Sequence, residues 1–190
     1  MSASDAHPST VAPSPRFPRW LDEAERLDLA IYAAIARTPT PALDRVMSRL
    51  SRAADYSRLS IASAAVLALT GGPSGRRAAA MGLASVAVAA TVANVIAKPF
   101  GRRRRPDRIA QGVSVARQVP MPISSSFPSG HSAAAFAFAT GVAHVSLLAA
   151  VPVLGLAAVV AYSRVHTGVH YPADVVAGSN PNQHAYARAG

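Results

Sequence analysis

One lysine, a cluster of arginines and two of the six histidines fall into three short patterns separated by apolar chain. The first is Lys98, six residues, then Arg105-Pro106; the second is Pro128-Ser129-Gly130-His131; the third is Ser163-Arg164, five residues, His170, three residues, Asp174. Each has an ordinary explanation when taken alone. Basic residues after an apolar helix anchor it in lipid headgroups. Pro-Ser-Gly is a common helix start with Ser as cap. His and Asp four apart on a helix can form a purely structural pair. Taken together they supply what phosphoryl transfer needs. Lys98, Arg105 and Arg164 can surround a phosphate, with forked donors from arginine and a point charge from lysine. Backbone N–H groups of Ser129 and Gly130 at a helix N-terminus, with the Ser129 hydroxyl, suit an anion. Two histidines can divide nucleophilic and acid roles, and Asp174 can hold one ring nitrogen of His170 so that the other faces phosphorus.

The composition limits what kind of chain presents these groups. Of 190 residues, 51% are hydrophobic and 15% charged, against about 25% charged in an average soluble chain. The apolar residues cluster into long runs, which points to a membrane protein. There is no cysteine, so disulfides, thiolate metal sites and a Cys nucleophile are excluded. The net charge of +10 comes from 18 Arg and Lys98, with five arginines between Arg102 and Arg108 in a loop between apolar segments. That distribution favours phosphate and lipid headgroups over nucleic acid as partners. Asp174 is the single acid after Asp107.

The elements that must position the three patterns follow from the apolar spacing. Residues 1–20 are rich in Pro, Ser and Ala without an apolar run and read as a disordered tail rather than a signal peptide. Leu21 to Arg37 is an amphipathic helix with Leu27, Ala30, Ile31, Ala34 and Ile35 on one side, and a second runs from Ala42 to about Ala54; both are expected to be interfacial or packed against the bundle. Membrane-crossing segments are expected at 59–75 and 78–97, with a turn at Gly71-Gly72-Pro73 and Arg76-Arg77 in the connecting loop. The second is 20 uncharged residues, about 30 Å of helix, the hydrocarbon thickness. The charge-free stretch 132–163 is too long for one span, and Pro152 suggests two helices, about 132–148 and 152–163. Parity then brings the ends at 98–131 and 163–174, and with them all three patterns, to one membrane face. The expected fold is an all-α transmembrane bundle with two N-terminal amphipathic helices.

The three patterns in this order resemble the type 2 phosphatidic acid phosphatase family, whose superfamily also includes bacterial acid phosphatases and vanadium haloperoxidases. The matched stretch covers about 98–178. The resemblance implies His170 as a nucleophile forming a phosphohistidine, Asp174 as its support, His131 as the proton donor to the leaving oxygen, and Lys98, Arg105, Ser129, Gly130 and Arg164 as the phosphate-binding set, with no metal or other cofactor. It implies a lipid phosphate as substrate and an integral membrane protein of the cell membrane, and Arg76-Arg77 on the cytoplasmic side would put the patterned face outside. Arg102, Arg103 and Arg104 are expected to be a solvated charge run, His166 local structure, and His144 a packed mid-helix residue; His7 and His184 lie in tails. The sequence departs from the family after Asp174, where Val175 to Gly178 leads to a polar stretch, 179–190, in place of a further spanning helix. Two other readings follow: a vanadate-dependent haloperoxidase, since the oxyanion pocket is shared, and a truncated, inactive membrane protein.

Overall fold

The computed structural model describes residues 19–93 and 103–180. Lys98, Arg102, His7, His184 and the two terminal tails lie outside them. The described chain is all helical: α1 (Arg19–Arg37), α2 (Pro41–Ala53), a 3-10 turn (Asp55–Ser57), α3 (Arg58–Thr70), α4 (Gly72–Thr91), a second 3-10 turn (Val115–Arg117), α5 (Gly130–Ala143), α6 (Leu147–His166) and α7 (Pro172–Ser179).

Helices α3 to α6 run up and down beside one another. α4 packs against both α3 and α5, and α5 also packs against α6. Their core is built from small residues and one aromatic: Ala64, Ala78, Ala79, Val86, Phe138, Val142 and Ala150. Small side chains let the backbones close in, the usual device where lipid removes the hydrophobic drive between helices. Gly141 marks a close crossing of α5 on α4, since a Cβ there would lie 2.6 Å from the Met81 carbonyl oxygen and 2.7 Å from Gly82 Cα.

Several sequence expectations are revised. The break between α5 and α6 falls after Ala143, where Ser146 caps α6 by accepting from Ala149 N (3.2 Å), and Pro152 lies inside α6. Pro152 is the sixth residue of α6; it forfeits one backbone bond, and the helix continues through it. His144 is exposed at the end of α5, its ring on the Thr140 carbonyl (2.8 Å), and is not packed. Arg76 and Arg77 belong to the first turns of α4. Within the charge-free stretch 59–75 the helix ends at Thr70, where the apolar part stops and the expected Gly71-Gly72 turn begins. Among the described residues one helix, Leu147–His166, is long and apolar enough to cross a membrane.

The apolar stripe of α1 points outward. Leu27 and Ile31 are exposed, while Asp28, Tyr32 and Ala36, one turn apart on the other side, are buried. Outward-facing Leu69, Leu147, Leu148 and Val151 complete an apolar exterior. Polar groups accordingly do much of the internal fastening. Arg117, 1% exposed, caps the end of α1 by donating to the carbonyls of Ile35 (2.9 Å) and Thr38 (2.7 Å). Its Nε lies 3.0 Å from Asp44 of α2, and Asp44 also meets His166 Nε2 of α6 at 2.9 Å and Thr40 Oγ1 at 2.8 Å. Burial alone would raise the Asp44 carboxyl, but the bonds from Thr40 and His166 and the Arg117 charge hold it below its ordinary value. Removing one partner from such a cluster strands the others in the interior, at about 3–5 kcal/mol. Asp44→Asn should therefore lower the midpoint of thermal unfolding in detergent by roughly 10 °C.

Candidate functional site

The chain reversal after α6 builds one half of the site. Gly168 adopts φ 72°, the left-handed region that ends helices and that a Cβ disfavours. The turn lets Val169 N and His170 N both return to the Arg164 carbonyl (3.1 and 3.2 Å), which folds His170 back beside Arg164. Pro172 then starts α7, and Asp174 in its first turn accepts from Tyr171 N through Oδ2 (2.9 Å). A carboxylate at this position caps the helix and favours the positive end of its dipole.

Asp174 is fully buried, and neither oxygen is left unpaired. Oδ2 also accepts from Ser126 Oγ (2.5 Å), and Oδ1 accepts from Arg103 NH1 (3.0 Å). His170 Nδ1 stands 3.5 Å from Oδ2 and has no hydrogen-bond partner among the described residues. Burial would raise the Asp174 carboxyl; the nearby His170 ring, the bonds from Ser126 and the Tyr171 amide, and the Arg103 charge more than offset it. On the other side of the ring, Arg105 NH1 lies 3.2 Å from His170 Nε2. Arginine can only donate, so Nε2 carries the lone pair and Nδ1, facing Asp174, carries the proton. Burial, followed by the Arg105 and Arg164 charges against the opposing pull of Asp174, holds His170 below the ordinary histidine value.

Arg105 is aimed by carbonyls. Its Nε donates to Ser124 O (2.9 Å), NH1 to Val169 O (2.8 Å) and NH2 to Ser125 O (3.1 Å). Arg164, 2% exposed, donates through NH1 to Ser51 Oγ of α2 (2.5 Å) and stands 3.9 Å from Asp55 Oδ1. Its Nε is buried with no partner among the described residues. A buried charged N–H without an acceptor costs several kcal/mol in principle and is suited to an anion. His131, the second residue of α5, bonds through Nε2 to Asp55 Oδ1 (2.9 Å) and lies within electrostatic range of Arg164 and His170.

Ser129 behaves differently from the sequence expectation. Its N–H donates to the Asp174 carbonyl (2.9 Å) and its hydroxyl accepts from Ser132 Oγ (3.0 Å), capping α5 from a fully buried position. The N–H is thus engaged within the protein, while the hydroxyl serves as an acceptor and keeps an O–H that can donate. Gly130 faces open space, with nothing within 4 Å of where a Cβ would sit. Thus Arg105, His131, Arg164, His170 and Asp174 converge at one end of the bundle, Ser129 ties two of their supporting helices together, and Lys98 lies outside the described residues.

Four contributors escaped the sequence reading. Arg103, expected to be solvated, bridges Asp174 and Asp28 of α1, at 3.0 and 2.5 Å, and stacks over Tyr171 (4.2 Å to the ring centroid). Asp28 also accepts from Ala173 N (2.7 Å). Ser126 and Asp55 complete the set. Their signal was faint: Asp28 is the one acid on the inward line Asp28–Tyr32–Ala36, and Arg103 is one of four consecutive arginines.

A helical bundle that gathers two histidines, two arginines and a supporting carboxylate at one end has the architecture and donor set of a phosphoryl-transfer enzyme. The chain belongs to the PAP2 superfamily, whose family model matches residues 79–180. Two solved structures share the fold. A transmembrane PAP2-type phosphatidylglycerolphosphate phosphatase from Bacillus subtilis superposes with a TM-score of 0.60 at 23% identity, over 83% of this chain and 80% of its own. LpxE from Aquifex aeolicus gives a TM-score of 0.65 at 23% identity, over 80% and 88% respectively. Sequence comparison with characterised proteins gives no significant match.

Arg103 makes a stability prediction. Arg103→Gln leaves two buried carboxylates without their shared cation, so it should cost about 3 kcal/mol and loosen α1. Limited proteolysis should then cut within residues 19–37 at a protease dose the parent resists.

Proposed function

We propose that this protein is a membrane-embedded phosphatase that hydrolyses a phosphomonoester or diphosphate on a lipid through a phosphohistidine on His170. The observation that carries the reading is the setting of His170: Arg105 on one nitrogen and the Asp174 carboxylate beyond the other leave the lone pair on Nε2, on the side of the buried arginines. The apolar exterior supplies the membrane half of the reading.

In the first step Nε2 attacks phosphorus, the N–P bond forms and the bond to the leaving oxygen breaks. Arg105 turns from Nε2 to the phosphate, and Arg164 Nε finds the acceptor it lacks. Lys98 and the Gly130 N–H complete the cradle, with Ser129 fixing α5 against α7. The charge spread over the equatorial oxygens is met by these cations, so no metal is required. His131 gives a proton to the leaving oxygen, and Asp174 stabilises the charge His170 acquires. Water then attacks the phosphohistidine and releases phosphate.

Phosphate release from detergent-solubilised protein should be measured on phosphatidate, phosphatidylglycerol phosphate and a polyprenyl diphosphate, with EDTA present. Turnover of at least one is expected, and His170→Ala should abolish it; full activity in that variant would remove His170 as nucleophile. The acid limb of kcat/KM should lie below the ~6.5 of a free histidine, because burial keeps the ring neutral, and so nucleophilic, to lower pH.

Orientation follows from charge. Arg76 and Arg77 sit at the end of the bundle opposite the site, beside Ala78 in the core, and the positive-inside rule assigns that end to the cytoplasm. The arginines on the site side are a weaker counterweight than their number suggests, since Arg103, Arg105 and Arg108 bond within the protein. Cysteine at the exposed Ile123 position (I123C) should label with an impermeant reagent in intact cells; labelling only after lysis would reverse the orientation.

A further inference from the structure

Asp55 lies outside the three sequence patterns, in the turn joining α2 to α3. That turn is strained: Tyr56 and Ser57 both hold left-handed backbone, φ 56° and 57°, a conformation costing roughly 1–2 kcal/mol for each residue with a Cβ. Its result is to set the Asp55 carboxylate 2.9 Å from His131 Nε2 and 3.9 Å from Arg164 NH1. A carboxylate can only accept, so His131 Nε2 carries a proton. Nδ1 is left as the nitrogen that can act on a substrate. Two cavities meet at this ring. One, of about 400 Å³, is bounded by Ala54, Tyr56, Ala90 and Gly130; the other, of about 290 Å³, is bounded by Asp55, Pro120, Met121 and Arg164.

We propose that Asp55 is a positioning residue for the proton donor: it fixes the His131 ring through Nε2 and stabilises the doubly protonated form, so that Nδ1–H faces the leaving oxygen. The inference rests on the reading of His131 as general acid. In the step concerned, the electron pair of the breaking P–O bond passes to the leaving oxygen, which takes the proton from Nδ1. His131 is left neutral, with its Nε2 proton still on Asp55. The charged and titratable groups facing His131 are Asp55 from the α2–α3 turn, Arg164 from α6 and His170 from the α6–α7 turn. Burial first, then the Arg164 charge and His170, oppose a second positive charge on the ring, and Asp55 is the one facing group that favours it.

The test compares two leaving groups on the same preparation. An alkyl oxygen must be protonated to leave, whereas p-nitrophenolate leaves without help. Asp55→Asn should slow the better of the two phosphomonoester lipids, phosphatidate or phosphatidylglycerol phosphate, by about 10- to 100-fold, within the range for lost acid catalysis, and slow p-nitrophenyl phosphate by less than about threefold. The alkaline limb of the lipid profile should move to lower pH. The ratio of the two rates does not depend on the folded fraction, so partial unfolding cannot mimic the result; if the Asn variant yields no folded protein, Asp55→Ser is read by the same ratio. Equal loss on both substrates, or no loss on either, overturns the role of Asp55. His131→Ala separates this from failure of the underlying reading. If His131→Ala lacks the leaving-group dependence, the general-acid assignment itself falls. If it shows the dependence and Asp55→Asn does not, only the positioning role falls.

Discussion

A buried carboxylate in an apolar bundle dictates much of what surrounds it. Asp174 has no exposure to solvent, and an ion in that setting is tolerated only if every lone pair is answered. The answers come from four directions: Arg103, Ser126, the Tyr171 amide and, more distantly, the His170 ring. Satisfying this one group therefore positions the loop before α5, starts α7 and orients the histidine. The Asp174 carbonyl adds a fifth tie by accepting from Ser129 at the start of α5. The site is held together by the cost of leaving Asp174 alone.

The same economy extends to the N-terminal helices. In a soluble bundle an amphipathic helix would turn Leu27 and Ile31 to the core. Here they face outward, and α1 is attached by its polar line, through Asp28 to Arg103 and through its capped end to Arg117. α2 is likewise joined to α6 by Asp44–His166 and Ser51–Arg164. When the surroundings are apolar, burying hydrocarbon gains little and hydrogen bonds between helices carry more of the specificity. Arg103 and Arg117 thus take over the fastening that leucines perform elsewhere.

This inversion explains what could be read from the sequence. Helix positions followed from charge-free runs and from Pro and Gly, and the convergence of the three patterns followed from parity alone, without any packing detail. Boundaries set by local capping were less legible: Ser146, rather than Pro152, begins α6, because a serine cap satisfies the first turn and the helix runs on through the proline. Polar partners far apart in sequence were not legible at all. Nothing local marks Asp28 as a partner of Arg103, 75 residues away, or Asp55 as a partner of His131, 76 away. Such pairs exist only once the helices are assembled. Ser129 was legible as a helix cap, and what takes its backbone N–H out of reach of an anion is the bond to the Asp174 carbonyl, a partner distant in sequence.

The two histidines then differ in a way that their residue type cannot convey. Each sits beside a carboxylate and near an arginine. At His170 the arginine occupies Nε2, so that nitrogen must accept, and the lone pair is presented on the guanidinium side. At His131 the carboxylate occupies Nε2, so that nitrogen must donate, and Nδ1 is the nitrogen left to face a substrate. The exposures fit the roles proposed for the two rings: the His170 side chain is 3% exposed, whereas His131 is 24% and Asp55 38%, so the ring proposed as nucleophile is the dry one and the ring proposed as proton donor has access to water. One lone pair and one proton on two chemically identical rings require two opposite placements of charge. The strained turn at Asp55 and the carbonyls that aim Arg105 are the two pieces of backbone that make them.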